Sequence, residues 1–114
     1  MLLLAAAVFS LSTLSAQRLT ILHTNDTHSH IDPVRSGAEA GLGGVIERAA
    51  YIDSVRSAVG KGKMLLVDAG DFSQGTSYFT MMHGDLEVDL INAMKYDVVC
   101  LGNHEFDNGL EELA

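Results

Sequence analysis

Three short apolar segments along the chain are each followed by a cluster of polar residues. Residues 19–23 alternate between apolar and polar side chains and are rich in branched residues, which is typical of a half-buried strand. Residues 64–67 are apolar without interruption, as in a strand that is covered on both faces. Residues 97–101 contain a third apolar run after their first position. This pattern predicts three β-strands.

Apolar residues recur at helical spacing between and after these strands. In the first predicted helix, residues 45–59, they are Val45, Ala49, Ile52 and Val59. In the second, residues 86–95, they are Leu86, Leu90, Ile91 and Met94. A last helix is predicted after Asn108-Gly109, with Leu110 and Leu113 on its apolar side. Gly60, directly after the first helix, favours its end there.

The alternation of strands and helices predicts an α/β fold with a mostly parallel sheet and right-handed crossovers. In open folds of this class, ligand sites form beyond the carboxyl ends of the strands. The glycine-rich residues 29–44, which contain the single proline, Pro33, predict a surface loop. Loops of this length near a site often contribute to function.

The amino-terminal residues predict a secretory signal peptide. Residues 1–16 have an apolar centre and small residues near Ala16, although no lysine or arginine precedes that centre. Cleavage is expected after Ser15 or Ala16. The alternative is an uncleaved anchor helix, for which the apolar run is short compared with the ~20 residues that a membrane span needs. The sequence is thus divided into a signal peptide at 1–16 and a segment at 17–114 whose length allows one hydrophobic core.

Charge and cysteine content narrow the class of protein further. The formal net charge of −8 argues against a nucleic-acid polymer as the partner. Cys100 is the single cysteine, so an internal disulfide is excluded. Because it lies within the apolar residues 98–101, it is expected to be a buried core thiol.

Clusters of acidic residues and histidines follow each predicted strand. They are Asp26-Thr27-His28, Gly70-Asp71, and Gly102-Asn103-His104-Glu105 with Asp107 shortly after. The first two clusters are each weak evidence alone, because a turn or a helix cap explains them as well. The third cluster is better evidence, because three such polar side chains in succession after a buried strand are costly without partners. Three neighbouring parallel strands would bring these oxygen and nitrogen ligands together at one edge of the sheet. If the strand direction continues through residues 26–28, Asp26 and His28 also lie on the same side.

In this order and spacing the clusters resemble the opening motifs of the calcineurin-like metallophosphoesterases, specifically the secreted 5′-nucleotidase family. The resemblance extends from about Leu19 to the last residue. It implies that the chain is the N-terminal portion of a four-layer metallophosphoesterase domain, incomplete as given. It also implies two divalent metal ions, Zn²⁺ or Mn²⁺, which accept mixed carboxylate, imidazole and amide ligands.

The resemblance implies a metal-binding role for four residues. Asp26 and His28 would bind the first metal, Asp71 would bridge both metals, and Asn103 would bind the second. Two such ions clamp the phosphoryl oxygens and lower the pKa of a bound water to about 7, which supplies a nucleophile. A bridging carboxylate neutralises charge between the two ions.

Two further residues would take part in catalysis. The resemblance implies that His104 contacts the phosphate and stabilises the transition state, and that Asp107 orients His104. The alternatives for His104 are another metal ligand or a structural cap. Glu105 is expected to support the loop by hydrogen bonds or to lie behind the ligands, with no catalytic role. Three other histidines are not expected to be ligands: His23, His30 and His83.

The predicted function is therefore that of a secreted two-metal phosphoester hydrolase, periplasmic in a bacterium, acting on nucleotides or another small phosphoester. Later segments of the same polypeptide would complete the metal site and hold the nucleotide base. Neither a nucleic-acid polymer nor a stable membrane anchor is expected. Two alternatives stay open, namely a related dinuclear hydrolase such as a thiosulfohydrolase and an inactive, truncated metal-binding fragment.

Overall fold

The computed structural model describes residues 18–113, without the side chain of Glu112, so the predicted signal peptide lies outside the described residues. In chain order the elements are β1 (Thr20–Thr24), α1 (Val45–Val59), β2 (Met64–Asp68), α2 (Ser77–Met82), α3 (Asp85–Met94), β3 (Val98–Val99), a 3-10 turn (His104–Phe106) and α4 (Leu110–Leu113). Within this part of the chain, no helix has the length and apolar character that a bilayer-spanning segment needs.

The three strands form one parallel sheet in the order β1-β2-β3. β1 pairs with β2 over its whole length, from Thr20 opposite Met64 to Thr24 opposite Asp68. All three strands therefore end at the same edge of the sheet. The α/β fold with a parallel sheet is confirmed.

β3 is shorter than the predicted strand at residues 97–101: it ends at Val99, and it begins one residue late because Asp97 pairs with β2 through its side chain. The Asp97 backbone N–H donates to the Leu66 carbonyl at 2.8 Å, and the Leu66 N–H donates to Asp97 Oδ2, also at 2.8 Å. The Asp97 carboxylate thus accepts the hydrogen bond from the Leu66 N–H that a backbone carbonyl of the neighbouring strand would otherwise accept. α2 was not predicted, because its six residues are too few for a repeat at helical spacing to be recognised, and none of them is buried.

The core lies on one face of the sheet, under α1 and α3. Its buried residues are Val45 and Ile52 from α1, Leu66 from β2 and Met94 from α3. Leu66 is fully buried and sits at the centre of β2.

Two predictions about burial are wrong. β2 is not covered on both faces, because Leu65 and Val67, which alternate with Leu66, are only half-buried. Cys100 is exposed rather than buried. It follows β3, which is the outer strand of the described sheet, and so the apolar character of its neighbours does not place it in the core.

Candidate metal centre

The loops after β1 and β2 run side by side beyond the edge of the sheet. The backbone N–H of Asp26 donates to the Gly70 carbonyl at 2.9 Å, and that of His28 donates to the Asp71 carbonyl at 3.1 Å. The parallel pairing of the two strands is therefore continued by their loops. This pairing places the first predicted cluster directly beside the second.

Three of the predicted metal ligands have left-handed backbone conformations. The φ angles are 52° at Asp26, 41° at His28 and 55° at Asp71. Such angles are uncommon in residues other than glycine, and they concentrate at functional sites. Asp26 and His28 are close together, as predicted, but the expected reason is wrong. β1 ends at Thr24, and a turn rather than continued strand alternation brings the two side chains together.

The His28 imidazole lies between two carboxylates. Its Nε2 atom is 3.8 Å from Asp26 Oδ1 and 3.9 Å from Asp71 Oδ2. Both distances are too long for hydrogen bonds, yet two ligands that bind one ion at about 2.1 Å lie about 3 to 4 Å apart. Nε2 is also buried and has no hydrogen-bond partner within residues 18–113. An unpartnered buried nitrogen facing two carboxylates fits a divalent metal ion.

His104 and Asn103 complete the cluster around Asp71. His28, Asp71 and His104 each offer one ligand atom, and these atoms lie within 4.8 Å of one another. An atom of the Asn103 amide group lies 3.2 Å from Asp71 Oδ2. As a nitrogen this atom donates a hydrogen bond to the carboxylate, whereas as an oxygen it is placed to share a cation with it.

Two glycines allow the loops after β2 and β3 to touch. A Cβ atom on Gly70 would lie 2.8 Å from Gly102 Cα, and one on Gly102 would lie 2.6 Å from the Asp71 nitrogen. Gly70 also has a φ angle of +102°, which side chains rarely allow. This close approach lets the His104 N–H donate to Asp71 Oδ1 at 3.0 Å.

Glu105 ties the same two loops together with its carboxylate. One oxygen accepts from the N–H groups of Gly102 at 2.6 Å and Asp71 at 2.9 Å. The other accepts from the N–H of Ser73 at 3.1 Å and from its hydroxyl at 3.0 Å. Burial raises the pKa of the Glu105 carboxyl, but these hydrogen bonds lower it more, so that the net pKa lies below its ordinary value. Glu105 therefore supports the loop, the first of its two expected roles.

His104 and Asp107 form a close pair at the surface of the cluster. His104 Nδ1 lies 2.7 Å from Asp107 Oδ2. The hydrogen bond to Asp107 raises the pKa of His104, which burial opposes and the nearby carboxylates of Asp71 and Glu105 assist. The predicted pairing is present, so Asp107 can orient the ring and stabilise its protonated form.

Asp68, to which the sequence pattern assigned no role, supports the site. Its side chain is buried, with 3% exposure. It accepts hydrogen bonds from the Thr24 hydroxyl at 2.5 Å and from the Gly70 N–H at 2.8 Å. The sequence feature that could have indicated this role is the position of Asp68, a carboxylate at the end of an apolar strand and two residues before Gly70. His23 and His30 are exposed, and neither belongs to the cluster.

Residues 19–114 match the family described as Calcineurin-like phosphoesterase. The human 5′-nucleotidase is 41% identical over 118 residues, which cover 98% of this chain and 20% of the human protein. The crystal structure of the 5′-nucleotidase precursor from Thermus thermophilus has a TM-score of 0.72 at 41% identity, with 83% of this chain and 19% of that chain covered. The structure of the Haemophilus influenzae NAD nucleotidase has a TM-score of 0.74 at 34% identity, with 83% of this chain and 18% of that chain covered.

The chain thus spans about a fifth of the length of these relatives. The match covers all three ligand loops, and the geometry of those loops suits divalent metal ions. The chain belongs to the calcineurin-like phosphoesterase family.

Proposed function

We propose that this chain supplies part of the active site of a two-metal phosphoester hydrolase of the 5′-nucleotidase type. The observation that supports it most strongly is the His28 Nε2 atom, which is buried, unpartnered in the described part of the chain and less than 4 Å from two carboxylates of the same cluster. The named relatives are two 5′-nucleotidases and an NAD nucleotidase, so we take a nucleotide as the substrate class.

The assignment of ligands follows the three loops. Asp26 and His28, from the loop after β1, would hold the first ion, and Asn103, from the loop after β3, would hold the second. Asp71 would be shared between the two ions, because it is the residue that both other loops contact. When bound, divalent ions of this kind polarise phosphoryl oxygens and activate water as a nucleophile.

The charges at the site explain why a phosphate needs cations there. Asp26, Asp71 and Asp107 contribute three carboxylates, which repel a phosphate group. The side chain of Asp26 is 56% exposed and that of Asp107 42% exposed, so the cluster is open to a small molecule. Bound cations would turn this open, acidic site into one that attracts a phosphoester.

The His104–Asp107 pair provides the acid. Its hydrogen bond to Asp107 fixes the orientation of the His104 ring and favours the imidazolium. A protonated His104 donates a hydrogen bond to the phosphoryl group or the leaving oxygen, where negative charge develops. Asp107 does not itself need to exchange a proton.

Metal-dependent hydrolysis by the full-length protein tests this proposal. Release of phosphate from AMP is expected after addition of Zn²⁺ or Mn²⁺, and it should be lost with a chelator and in Asp71→Asn. Asp89→Asn, on the exposed side of α3, is the control that should retain activity. No metal-stimulated hydrolysis of AMP or of an artificial phosphodiester would contradict the proposal. Turnover of a thiosulfate-derived substrate alone would replace it by the thiosulfohydrolase alternative.

The proposed organisation is a signal peptide at residues 1–16 followed, from residue 17, by the N-terminal part of the phosphoesterase domain. Such a protein is secreted, and in a bacterium it is periplasmic. Amino-terminal sequencing of the exported protein should give a start at Ala16 or Gln17. A mature protein that still begins at Met1 would contradict this.

A further inference from the structure

A second group of unpartnered polar atoms lies beside the candidate metal centre, in a small cavity between the loop after β1, here called the ligand loop, and helices α1 and α3. Glu87 of α3 is only 4% exposed, and neither of its carboxylate oxygens has a hydrogen-bond partner in the described part of the chain. Ser29, directly after His28, is 1% exposed, and its hydroxyl is likewise without a partner there. The Nε atom of Arg48, from α1, completes the group. All three residues line one cavity, which we call the polar cavity.

Burial of these groups without partners is costly. A carboxylate removed from water loses its hydration, and the loss is recovered only through hydrogen bonds or a paired charge. The structure shows no direct hydrogen bond between Glu87 and Arg48 or Ser29 among residues 18–113. Native structures satisfy most such groups through ordered water when no protein partner is in reach.

The size and chemistry of the polar cavity indicate its ligand. It offers ≈ 10 Å³ to the centre of a water-sized sphere, close to the minimum of about 10–15 Å³ that one water molecule requires. The carboxylate of Glu87 accepts hydrogen bonds, Arg48 Nε donates one, and the Ser29 hydroxyl does either. A single water molecule, which both donates and accepts, matches this set. A cation does not match it, because Arg48 already supplies a positive charge.

We propose that the polar cavity binds one water molecule, which hydrogen-bonds Glu87, Arg48 and Ser29 and so joins the ligand loop to α1 and α3. The backbone of Ser29 is already fixed from both sides, since its N–H donates to the Phe72 carbonyl at 2.9 Å and its carbonyl accepts from the Thr76 hydroxyl at 3.1 Å. The bound water fixes the side chain as well. This inference is independent of the proposed function.

A high-resolution crystal structure of the full-length protein is the first test. Density for one water molecule is expected at about 2.7–3.2 Å from a Glu87 oxygen, the Ser29 hydroxyl and Arg48 Nε. A direct contact between the Arg48 guanidinium and the Glu87 carboxylate, with no such water, would overturn the proposal. So would an ion with anomalous scattering at this place.

A double-mutant cycle in the full-length protein is the second test. Glu87→Met keeps the length of the side chain and removes its polar atoms, whereas Ser29→Ala removes a single hydroxyl. If one water joins them, Ser29→Ala should lower the midpoint of unfolding less in the Glu87→Met background than in the wild type. Equal shifts in both backgrounds would argue against the shared water.

The matched control combines Ser29→Ala with Asp89→Asn. Asp89 lies on the same helix as Glu87 but is exposed. The shifts that Asp89→Asn and Ser29→Ala cause in the midpoint of unfolding should therefore be additive. If Glu87→Met does not fold, the crystal structure decides the question. In Glu87→Gln, which retains an acceptor and adds a donor, the water is expected to remain visible.

Discussion

His104 Nδ1 and Asp107 Oδ2 lie 2.7 Å apart, three residues from one another across the 3-10 turn that follows β3. The pair is partly exposed at the rim of the cluster, and the negative charges of Asp71 and Glu105 also act on His104. All three carboxylates favour the protonated imidazole. The pH at which His104 loses its proton is therefore set mainly by Asp107.

Asp107→Asn should lower the pKa of His104 toward the ordinary histidine value, because the amide no longer stabilises the imidazolium. A histidine whose pKa is raised keeps its proton to higher pH, so the alkaline limb of the activity profile should move to lower pH in this variant. If His104 acts as the acid, kcat should also fall about 100-fold. NMR titration of His104 and the pH–rate profile check both effects.

Asp53→Asn is the matched control for that experiment. Asp53 and Arg56 form an ion pair with the same three-residue spacing, on α1 and outside the cluster. This variant should leave the titration of His104 unchanged. An equal change in the two variants would contradict a specific role for Asp107.

Glu105→Gln should destabilise the folded protein by about 2–4 kcal/mol, because an NH₂ group then faces two of the four donors that the carboxylate now satisfies. Chemical denaturation measures this loss. The exposed Glu111→Gln is the control, and it should have little effect. A loss of stability in Glu105→Gln no larger than in the control would contradict the supporting role of Glu105.

The lowered pKa of Glu105 predicts that its contribution to stability depends on pH in the acidic range. Its folded pKa lies below the ordinary value of 4.5. A lowered pKa of this kind stabilises the fold above the unfolded-state value, and the contribution is lost as the pH falls from 4.5 toward the folded value. The free energy of unfolding of the wild type should therefore fall more steeply in this range than that of Glu105→Gln.

Gly70→Ala should destabilise the protein by about 3 kcal/mol or more, since it adds both backbone strain and a clash with the loop after β3. Gly75→Ala separates the two contributions. Gly75 has a similar φ angle of +89°, but an added Cβ there meets no atom within 4 Å. This control should cost only about 1–2 kcal/mol. Equal losses in thermal or chemical unfolding would show that the clash is unimportant.

Asp71→Asn should weaken the binding of Zn²⁺ or Mn²⁺ by about 100-fold or more, the upper end of what the loss of an outer-sphere partner costs. A neutral amide cannot neutralise the charge between two ions. Isothermal titration calorimetry of the metal-free, full-length protein measures the affinity directly. Asp53→Asn should bind the metal as the wild type does, and unchanged affinity in Asp71→Asn would refute a bridging role.

The sequence predicted the parallel α/β fold because the apolar runs and helical periodicities of these elements are local signals. It also predicted the residues that surround Asp71, since the motifs stand at the ends of the strands. The supporting role of Glu105 was expected, but its hydrogen-bond partners were not. Glu105 contacts Asp71 and Ser73 across 34 and 32 positions of the chain, and no local pattern reports such a contact. The exposure of Cys100 likewise depends on its place at the outer strand and not on its neighbours in sequence.

The contact between Gly70 and Gly102 has a consequence for the evolution of the site. Because Gly70 and Gly102 meet backbone to backbone, no side chain at this contact acts as a spacer whose size could be varied to move Asp71 relative to Asn103. Under the proposed assignment, the separation of these two ligands depends on this backbone contact and on the hydrogen bonds of Glu105. A change of metal preference would then have to come through the chemical identity of the ligands themselves.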